Sequence, residues 1–299
     1  MHPSSSITVT GATGWLGKEL INILTTLNLE NLELDLISSS EQEIEVNKKK
    51  FKTNIFTENR SIETDIYFDF AFLTREKILT LGKDRYIEMN KSIINDSIDL
   101  IERKHPKTVI LASSGAVYGQ GFNNFKEDIN LYSQLKLMQE EKIGAACANI
   151  GVNLIVTRIF NLSGNGINKI NTFAIAELIS RAFQNQKLQI KSNYLVYRRY
   201  CDISQLLNLL LKLHEINFSG IIDSGGIKIE LRDLARTIVK QLGSNSELDF
   251  SDIDKDSSPE EYFSKSNLYD ELLVKYLNEK SMLISKQITN TKNSLFPLI

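Results

Sequence analysis

Hydrophobic and polar positions follow two alternating periods along the first 160 residues. Short apolar runs with the length of strands occur at 7–9, 32–37, 66–73, 108–112 and 154–157. Between them, apolar residues recur at helical spacing in three stretches, at 18–24, 86–104 and 131–148. Strands that alternate with helices are typical of parallel sheets. The pattern therefore predicts an α/β fold with a doubly wound parallel sheet and right-handed crossovers.

The alternation weakens after residue 160, and the remainder predicts a smaller mixed α/β lobe. A helix is predicted at 172–185, followed by short strands and helices. We expect a first domain at 1–163, with 195–225 returning to it, and a substrate-binding lobe at 164–194 and 226–299. Because open α/β sheets bind ligands beyond the carboxyl ends of their strands, a substrate is expected between the lobe and a cofactor.

Composition and charge are those of a cytoplasmic globular protein. The chain has 299 residues, 42% of them hydrophobic, and a formal net charge of -2. Such a balance gives no long-range attraction to nucleic acid or to an anionic membrane, so neither is an expected partner. Cys147 and Cys201 are too few for a disulfide framework, and we expect both to be small buried residues in a reducing compartment. The chain shows no signal peptide and no run of about 20 apolar residues, so a cytoplasmic location is expected.

A glycine-rich turn joins the first predicted strand to the first predicted helix. It runs from Thr10 to Gly17 as Thr-Gly-Ala-Thr-Gly-Trp-Leu-Gly. Gly11 permits the tight turn, Gly14 lets backbone N–H groups approach a pyrophosphate, and Gly17 lets the helix pack close to the strand. The helix N-terminus then presents unpaired donors and the positive end of its dipole to the anion. Strand, turn and helix in this order predict a Rossmann dinucleotide-binding domain.

The end of the second predicted strand bears on whether the cofactor is NAD or NADP. An acidic residue there binds the ribose hydroxyl of NAD, whereas a basic residue accommodates the phosphate of NADP. Asp35 lies at the right chain distance, but the alternation of the strand puts Ser38 at its end. Lys48, Lys49 and Lys50 follow, either as phosphate contacts or as a solvated charged segment. NAD or NADP is expected, with NAD slightly favoured.

Three residues around the fourth predicted strand carry candidate acid–base chemistry. Tyr132 and Lys136 stand four apart on one face of a predicted helix. A nearby ammonium stabilises a phenolate and brings the tyrosine pKa from about 10 toward neutrality. Tyr276 and Lys280 have the same spacing, so spacing alone identifies neither pair. Ser114 favours the first pair, because it ends a buried strand directly before the Tyr132 helix.

Together these elements resemble the extended short-chain dehydrogenases/reductases, and more narrowly their nucleotide-sugar epimerase/dehydratase group. The resemblance rests on the glycine turn, on Ser114 followed by Val117-Tyr118-Gly119, and on Tyr132 with Lys136. It extends over about residues 5–240. The activity it implies is NAD(P)-dependent oxidoreduction or epimerisation at a ring carbon of a nucleotide-linked sugar, without a metal.

The resemblance also implies a role for each matching residue. Tyr132 is the implied general acid/base, Lys136 holds the nicotinamide ribose and tunes the tyrosine, and Ser114 hydrogen-bonds the reacting oxygen. Asn161 is implied to contact the sugar or a phosphate of the substrate, and Arg198 its diphosphate. The implied cofactor contacts are Gly11, Thr13, Gly14, Trp15, Leu16, Gly17, Ser38, Ala71, Phe72, Asn90, Tyr132 and Lys136.

Four departures from the family pattern change this expectation. Gly115-Ala116 stands where dehydratases carry Asp-Glu, which favours epimerisation or keto/alcohol reduction over dehydration. No arginine follows Arg236 to make a second diphosphate contact, and Lys265 is the available substitute. Arg199 replaces a frequent Asp and is either functional or part of a surface ion pair. Asp69 replaces a frequent His, and the sequence suggests no role for it.

Two alternatives to an epimerase remain open. One is an NADPH-dependent keto-sugar reductase, and the other is a non-catalytic dinucleotide-binding regulatory module that kept the fold. A homodimer is a further hypothesis, because relatives pair the helices at 86–104 and 131–148 across a four-helix interface. Periodicity in one sequence does not distinguish such an interface from the core.

Overall fold

The chain forms two compact units in a computed structural model that describes residues 6–27, 32–56, 64–121 and 127–297. Unit 1 comprises Met1–Ile159 and Leu210–Ile222, and unit 2 comprises Phe160–Leu209 and Asp223–Ile299. Each unit has its own sheet and its own hydrophobic core.

Strands and helices alternate through unit 1 and are mixed in unit 2. The strands are β1 (Ser6–Thr10), β2 (Glu33–Ile37), β3 (Gln42–Val46), β4 (Lys49–Thr53), β5 (Ile66–Asp69), β6 (Thr108–Ser114), β7 (Asn153–Ile159), β8 (Asn161–Ser163), β9 (Leu188–Ile190), β10 (Val196–Asp202), β11 (Gly220–Asp223), β12 (Ile227–Glu230), β13 (Leu248–Phe250) and β14 (Glu260–Tyr262). The α-helices are α1 (Trp15–Thr26), α2 (Lys77–Leu81), α3 (Lys83–Lys104), α4 (Glu127–Ile150), α5 (Ala174–Phe183), α6 (Ile203–Glu215), α7 (Leu231–Leu242), α8 (Leu268–Leu272) and α9 (Ile284–Leu295). A 3₁₀ segment at Gly115–Gly121 follows β6, and a π-helical turn at Leu273–Leu277 follows α8.

Unit 1 is built on a six-stranded sheet in the order β11-β7-β6-β5-β1-β2. The pairs from β2 through β1, β5 and β6 to β7 are all parallel. Every residue of β5 and β6 is buried, as expected of strands covered on both faces. Because β2 lies on one side of β1 and β5 on the other, the strand order reverses at β1. The predicted doubly wound α/β fold is confirmed, and its switch point lies at the carboxyl ends of β1 and β5.

The predicted strand at 66–73 is too long, because β5 ends at Asp69. Phe68 lies within β5 and is fully buried. Phe70 and Phe72 follow the strand and are only half-buried. The apolar run continues past the strand because Phe70 packs against the Phe68 ring and Phe72 packs against a cluster that contains Tyr86 and Leu135. A count of apolar residues does not reveal this change.

A β-hairpin that the sequence did not predict follows β2. Strands β3 and β4 pair antiparallel around Asn47 and Lys48, whose φ angles are 51° and 61°. Left-handed values at both central residues suit a two-residue hairpin turn. Lys50 makes an exposed ion pair with Glu43 at 2.8 Å. The lysine run therefore belongs to the solvated face of a hairpin.

Unit 2 contains a small sheet in which β10 is the central strand. Strand β12 pairs antiparallel with β10, whereas β8 and β14 pair in parallel with different halves of it. Strands β9 and β13 form a separate parallel pair. Helices α5, α7 and α9 bury their apolar faces in one cluster that includes Ile175, Ile179, Leu234, Ile238 and Ile288. Unit 2 is thus the mixed α/β structure that the looser pattern predicted.

Both cysteines, Cys147 and Cys201, are buried and free, as predicted. Within the described ranges, no helix has the length and apolar character needed to span a membrane. In the same ranges, no three His, Cys, Asp or Glu side chains group in a way that suits a metal ion.

Candidate active site

The glycine turn follows β1 and packs against the backbone of neighbouring segments. Gly11 has a φ of +66°, and a Cβ there would lie 2.8 Å from the carbonyl carbon and oxygen of Phe70. A Cβ at Gly17 would lie 2.6 Å from Ala12 Cα and from Gly11 O. Neither position has room for a side chain, so the strand, the turn and α1 can approach this closely only with glycine.

The first turn of α1 presents its amino end without a competing carboxylate. Gly14 is the N-cap residue in an extended conformation, and its N–H donates to Gly11 O at 2.9 Å. Among the described residues of α1, none in the first turn is acidic. Thr13, Trp15 and Leu16 surround the turn and keep part of their surface accessible. Bare backbone and an uncompensated helix dipole fit the pyrophosphate of a dinucleotide.

Asp35 lies inside β2 and is engaged in a buried ion pair. Its Oδ2 lies 2.9 Å from Lys104 Nζ, and both side chains are almost fully buried. Ser38 directly follows the strand, as the alternation predicted. Its hydroxyl lies 2.9 Å from Thr53 Oγ1 of the hairpin. The residue at the end of β2 is therefore neutral, and the nearest strand carboxylate is already paired.

Side chains hold the backbone of the segment after β5 in place. Thr10 Oγ1 accepts a hydrogen bond from Ala71 N–H at 3.3 Å, and Asn90 Oδ1 accepts one from Leu73 N–H at 2.9 Å. Tyr86 donates its hydroxyl to Leu73 O at 2.8 Å. Asn90 is fully buried, and its amide group donates to Tyr86 O at 3.1 Å. Because both polar ends of Asn90 bind backbone, this residue positions the segment that carries Ala71 and Phe72.

Ser114 is the last residue of β6 and lies at the carboxyl edge of the sheet. It is mostly buried, and its Oγ accepts a hydrogen bond from Ala116 N–H at 3.2 Å. The preceding residue, Ser113, donates to Glu140 on α4. Glu140 also binds Arg158 of β7 through two hydrogen bonds, of 3.0 and 2.6 Å. These contacts tie β6, α4 and β7 together and keep α4 in a defined position next to Ser114.

Lys136 and Tyr132 meet at the ring of Phe72. Lys136 Nζ lies 3.8 Å from the Phe72 ring centroid and donates to Ala112 O at 2.7 Å and to Gln139 Oε1 at 2.9 Å. The Tyr132 ring packs edge-on against Phe72, with centroids 5.8 Å apart. Burial lowers the pKa of Lys136 from 10.5 to about 7, because the ammonium loses its hydration. Tyr132 and Lys136, the pair predicted from their spacing on one helix, therefore both contact the segment after β5.

Two residues of this network lacked a role in the sequence analysis. Gln139 contacts both Lys136 and Asp69, donating to Asp69 Oδ2 at 3.2 Å. The signal that would have found Gln139 is its position three residues after Lys136, on the same helix face. Asp69 stood out only as a departure from the family pattern.

In unit 2, Asn161 and Arg198 both contact Tyr262. Asn161 donates its amide to Tyr262 O at 3.1 Å, and the Arg198 guanidinium lies 5.8 Å from the Tyr262 ring centroid. Arg198 also forms an ion pair with Glu260 and donates to Tyr197 O at 2.9 Å. Arg198 and Glu260 line a cavity of about 490 Å³ within this unit. The predicted diphosphate arginine thus has a carboxylate as its partner.

Arg199 points to a different set of partners. It forms an ion pair with Asp270 and donates to Gly226 O and Ser266 O, each at 2.9 Å. Its side chain is only 14% exposed, so the ion pair is largely buried rather than on the surface. Lys265 is exposed. Arg199 therefore stabilises the C-terminal segment of unit 2.

A doubly wound parallel sheet with a glycine turn at its switch point defines a Rossmann-type dinucleotide-binding protein. Residues 7–221 match the model of the NAD dependent epimerase/dehydratase family, and the chain belongs to this family. The membership confirms the resemblance seen in the sequence and the expectation of a nicotinamide dinucleotide, with NAD favoured. Among curated proteins, no relative matches the chain significantly.

Solved structures with a similar fold include epimerases of UDP-linked sugars. The UDP-N-acetylglucosamine 4-epimerase of Methanobrevibacter ruminantium, in complex with UDP-N-acetylmuramic acid, is 19% identical, with a TM-score of 0.76 over 98% of both chains. The UDP-N-acetylglucosamine 4-epimerase of Bacillus cereus is 16% identical, with a TM-score of 0.75 over 99% of this chain and 98% of that one. The UDP-glucose 4-epimerase of Thermus thermophilus, in complex with NAD, is 14% identical, with a TM-score of 0.73 over 98% of this chain and 100% of that one. At these identities, the similarity establishes the fold.

Proposed function

We propose that this protein is an NAD-dependent epimerase that inverts a ring carbon of a UDP-linked sugar. The main support is that Tyr132 and Lys136 both pack against Phe72. Phe72 lies on the segment after β5, and Phe70 at the start of that segment lies against Gly11. The phenol and the ammonium, both on α4, thereby pack against the segment that borders the dinucleotide turn. The UDP-sugar epimerases that share the fold support the choice of substrate class.

Inversion at a hydroxyl-bearing carbon requires that a proton and a hydride leave and then return. When bound, NAD supplies the hydride acceptor and donor. Tyr132 Oη takes the proton from the sugar hydroxyl and gives it back to the resulting carbonyl oxygen. The Lys136 ammonium stabilises the Tyr132 phenolate by its charge. Ser114 Oγ hydrogen-bonds the reacting oxygen and keeps it within reach of Tyr132.

The cofactor and the substrate are assigned to separate sets of residues. The dinucleotide pyrophosphate is assigned to the backbone of the glycine turn and to the first turn of α1, which has no acidic residue. The residues assigned to the cofactor are Gly11, Thr13, Gly14, Trp15, Leu16, Gly17, Ser38, Ala71, Phe72, Tyr132 and Lys136, with Asn90 holding the segment from behind. Asn161 and Arg198 are assigned to the sugar or phosphate and to the diphosphate of the substrate.

The residues after Ser114 favour epimerisation over dehydration. Loss of water from the sugar requires an acid and a base in addition to Tyr132. Gly115 and Ala116 have no ionisable group, and both are buried. Proton transfer at a single oxygen, as an epimerase performs it, is the chemistry that this set of residues supports.

The proposal is tested by purifying the full chain and assaying bound nucleotide and turnover together. We expect NAD to copurify, detected by absorbance and mass spectrometry, and the protein to interconvert a UDP-hexose and its epimer with no net change in reduced cofactor. Consumption of added NADPH with a UDP-keto-sugar, by protein that carries no NAD, would identify a reductase instead. Nucleotide binding without turnover of any UDP-sugar in a panel would identify a non-catalytic module.

Glu260→Gln is expected to strengthen the binding of UDP by about tenfold. The Glu260 carboxylate pairs with Arg198 and repels a diphosphate, so removing its charge frees the guanidinium and removes the repulsion. Calorimetric titration with UDP measures the change. Glu261→Gln is the matched control, because Glu261 lies on the same strand but pairs with Lys228 at 2.8 Å. Equal affinities of the wild type and Glu260→Gln would exclude Arg198 as the diphosphate ligand.

A further inference from the structure

Asp69 is a fully buried carboxylate at the carboxyl end of β5. Its Oδ1 accepts hydrogen bonds from Thr10 Oγ1 at 2.9 Å and from Ser97 Oγ at 3.1 Å. Its Oδ2 accepts one from Gln139 Nε2 at 3.2 Å. All three donors are neutral. A buried carboxylate is costly to ionise when no positive charge compensates it. The positive charge of Lys136 is the charge that favours the ionised form of Asp69.

Gln139 connects this carboxylate to Lys136. The Gln139 side chain is fully buried, and its Oε1 accepts a hydrogen bond from Lys136 Nζ at 2.9 Å. The two ends of one amide group thus bind opposite charges, with the donor end on Asp69 and the acceptor end on Lys136. An amide in this orientation aligns its dipole with both charges and transmits their attraction through a low-dielectric interior.

Lys136 needs such a partner, because its side chain is also buried. Its described contacts are two oxygen acceptors and the face of Phe72. Glu140 lies one turn further along α4, but its carboxylate is engaged by the two hydrogen bonds from Arg158. Asp69 has no basic side chain among its described hydrogen-bond partners, and its charge affects Lys136 more strongly than that of Glu140.

We propose that Asp69 and Gln139 form a buried positioning relay that keeps Lys136 protonated and fixes its ammonium under Phe72. The consequence for catalysis rests on the proposed function of Tyr132 and Lys136, whereas the coupling of the charges does not. Asp69 and Gln139 touch neither substrate nor cofactor in this assignment. They act through Lys136 alone.

The charges of Asp69 and Lys136 shift each other's pKa toward the ionised form. Burial raises the pKa of Asp69 above its usual range, and its hydrogen bonds and the Lys136 charge oppose that rise only in part. Burial lowers the pKa of Lys136, whereas the charges of Asp69 and Glu140 raise it. Burial and the Asp69 charge both raise the pKa of Tyr67 on β5 and of Cys147 on α4, so these groups stay neutral. The ionised form of Asp69 thus favours the ammonium form of Lys136.

The test is a titration of Lys136 in the full chain without added substrate. Protein labelled with ¹³C-lysine reports the Lys136 pKa by NMR, and a Lys136→Met sample assigns the signal. In Asp69→Asn we expect this pKa to fall by about one unit, because the ammonium loses its counter-charge. In Asp69→Asn/Gln139→Glu we expect it to return to the wild-type value or above, since a carboxylate then adjoins Nζ directly. The alkaline limit of epimerase activity should follow the same order.

Two further variants separate charge coupling from loss of packing. Ser97→Ala removes a hydrogen bond from the same carboxylate but no charge, so the Lys136 pKa should stay close to that of the wild type. Gln139→Met preserves volume and breaks the bridge, so the pKa should fall even if Asp69→Asn does not fold. An unchanged Lys136 pKa in a folded Asp69→Asn or Gln139→Met protein would overturn the relay. A shifted pKa in a protein that epimerises no sugar would retain the relay and reject the proposed function.

Discussion

Tyr132→Phe is expected to reduce kcat for UDP-sugar epimerisation by about 10³-fold. The substitution removes the oxygen that carries the proton but keeps the ring that packs edge-on against Phe72. Binding of NAD and of UDP should change by less than about threefold, because the lost interaction belongs to the reaction step and not to binding. Steady-state kinetics and calorimetric titrations on the same preparation separate the two effects.

The control for this substitution is Tyr276→Phe. Tyr276 and Lys280 repeat the four-residue spacing in unit 2, and Tyr276 lies in the π-helical turn after α8. We expect wild-type kcat and KM for this variant. If Tyr132→Phe retained wild-type turnover, or if Tyr276→Phe lost it, the assignment of the general acid/base would be wrong.

Gly11→Ala is expected to abolish NAD binding and to lower the free energy of unfolding by about 2–4 kcal/mol. Part of the loss comes from an L side chain at a φ of +66°, and the larger part from a Cβ placed 2.8 Å from the Phe70 carbonyl group. Backbone atoms cannot rotate away as a side chain would, so β1 and the segment after β5 must separate. Calorimetry with NAD and urea denaturation measure the two losses.

Gly243→Ala is the matched control for backbone strain. Gly243 caps α7 with a φ of +60°, and no atom lies within 4 Å of the position of an added Cβ. We expect a cost of about 1 kcal/mol and unchanged NAD affinity. Equal destabilisation by both substitutions would show that the close approach at Gly11 has no energetic consequence.

The distinction between local and distant contacts explains which predictions from the sequence were accurate. The parallel core strands and helices α3 and α4 follow from runs of apolar residues, a property of contiguous residues. The glycine spacing of the turn is equally local, and a Cβ at Gly17 would meet only nearby residues of the turn, whereas the close approach of Gly11 to Phe70 is a distant contact. Errors arose where distant contacts set the boundary, as at β5, which ends at Asp69 because side chains from β1 and α3 bind the following backbone.

In the candidate site, too, local patterns were predicted from the sequence and distant contacts were not. Spacing placed Tyr132 and Lys136 on one helix face but did not distinguish them from Tyr276 and Lys280. The placement of Ser114 at a strand end favoured Tyr132 and Lys136 from the sequence. The paired states of Asp35 and Arg198, with Lys104 and Glu260 respectively, depend on residues far away in the chain, and no local pattern reports such partners.

The order of its residues alone identifies this chain as a dinucleotide-binding α/β protein with a tyrosine and a lysine on one helix. Those properties depend on hydrophobic periodicity, on the spacing of the glycines and on the spacing of Tyr132 and Lys136, all of which involve residues close together in the chain. The roles of Asp69 and Gln139 emerged only from the folded structure. Their hydrogen bond joins β5 to α4 across 70 residues, and burial, which gives their charges and dipoles their strength, exists only once the sheet and helices have packed.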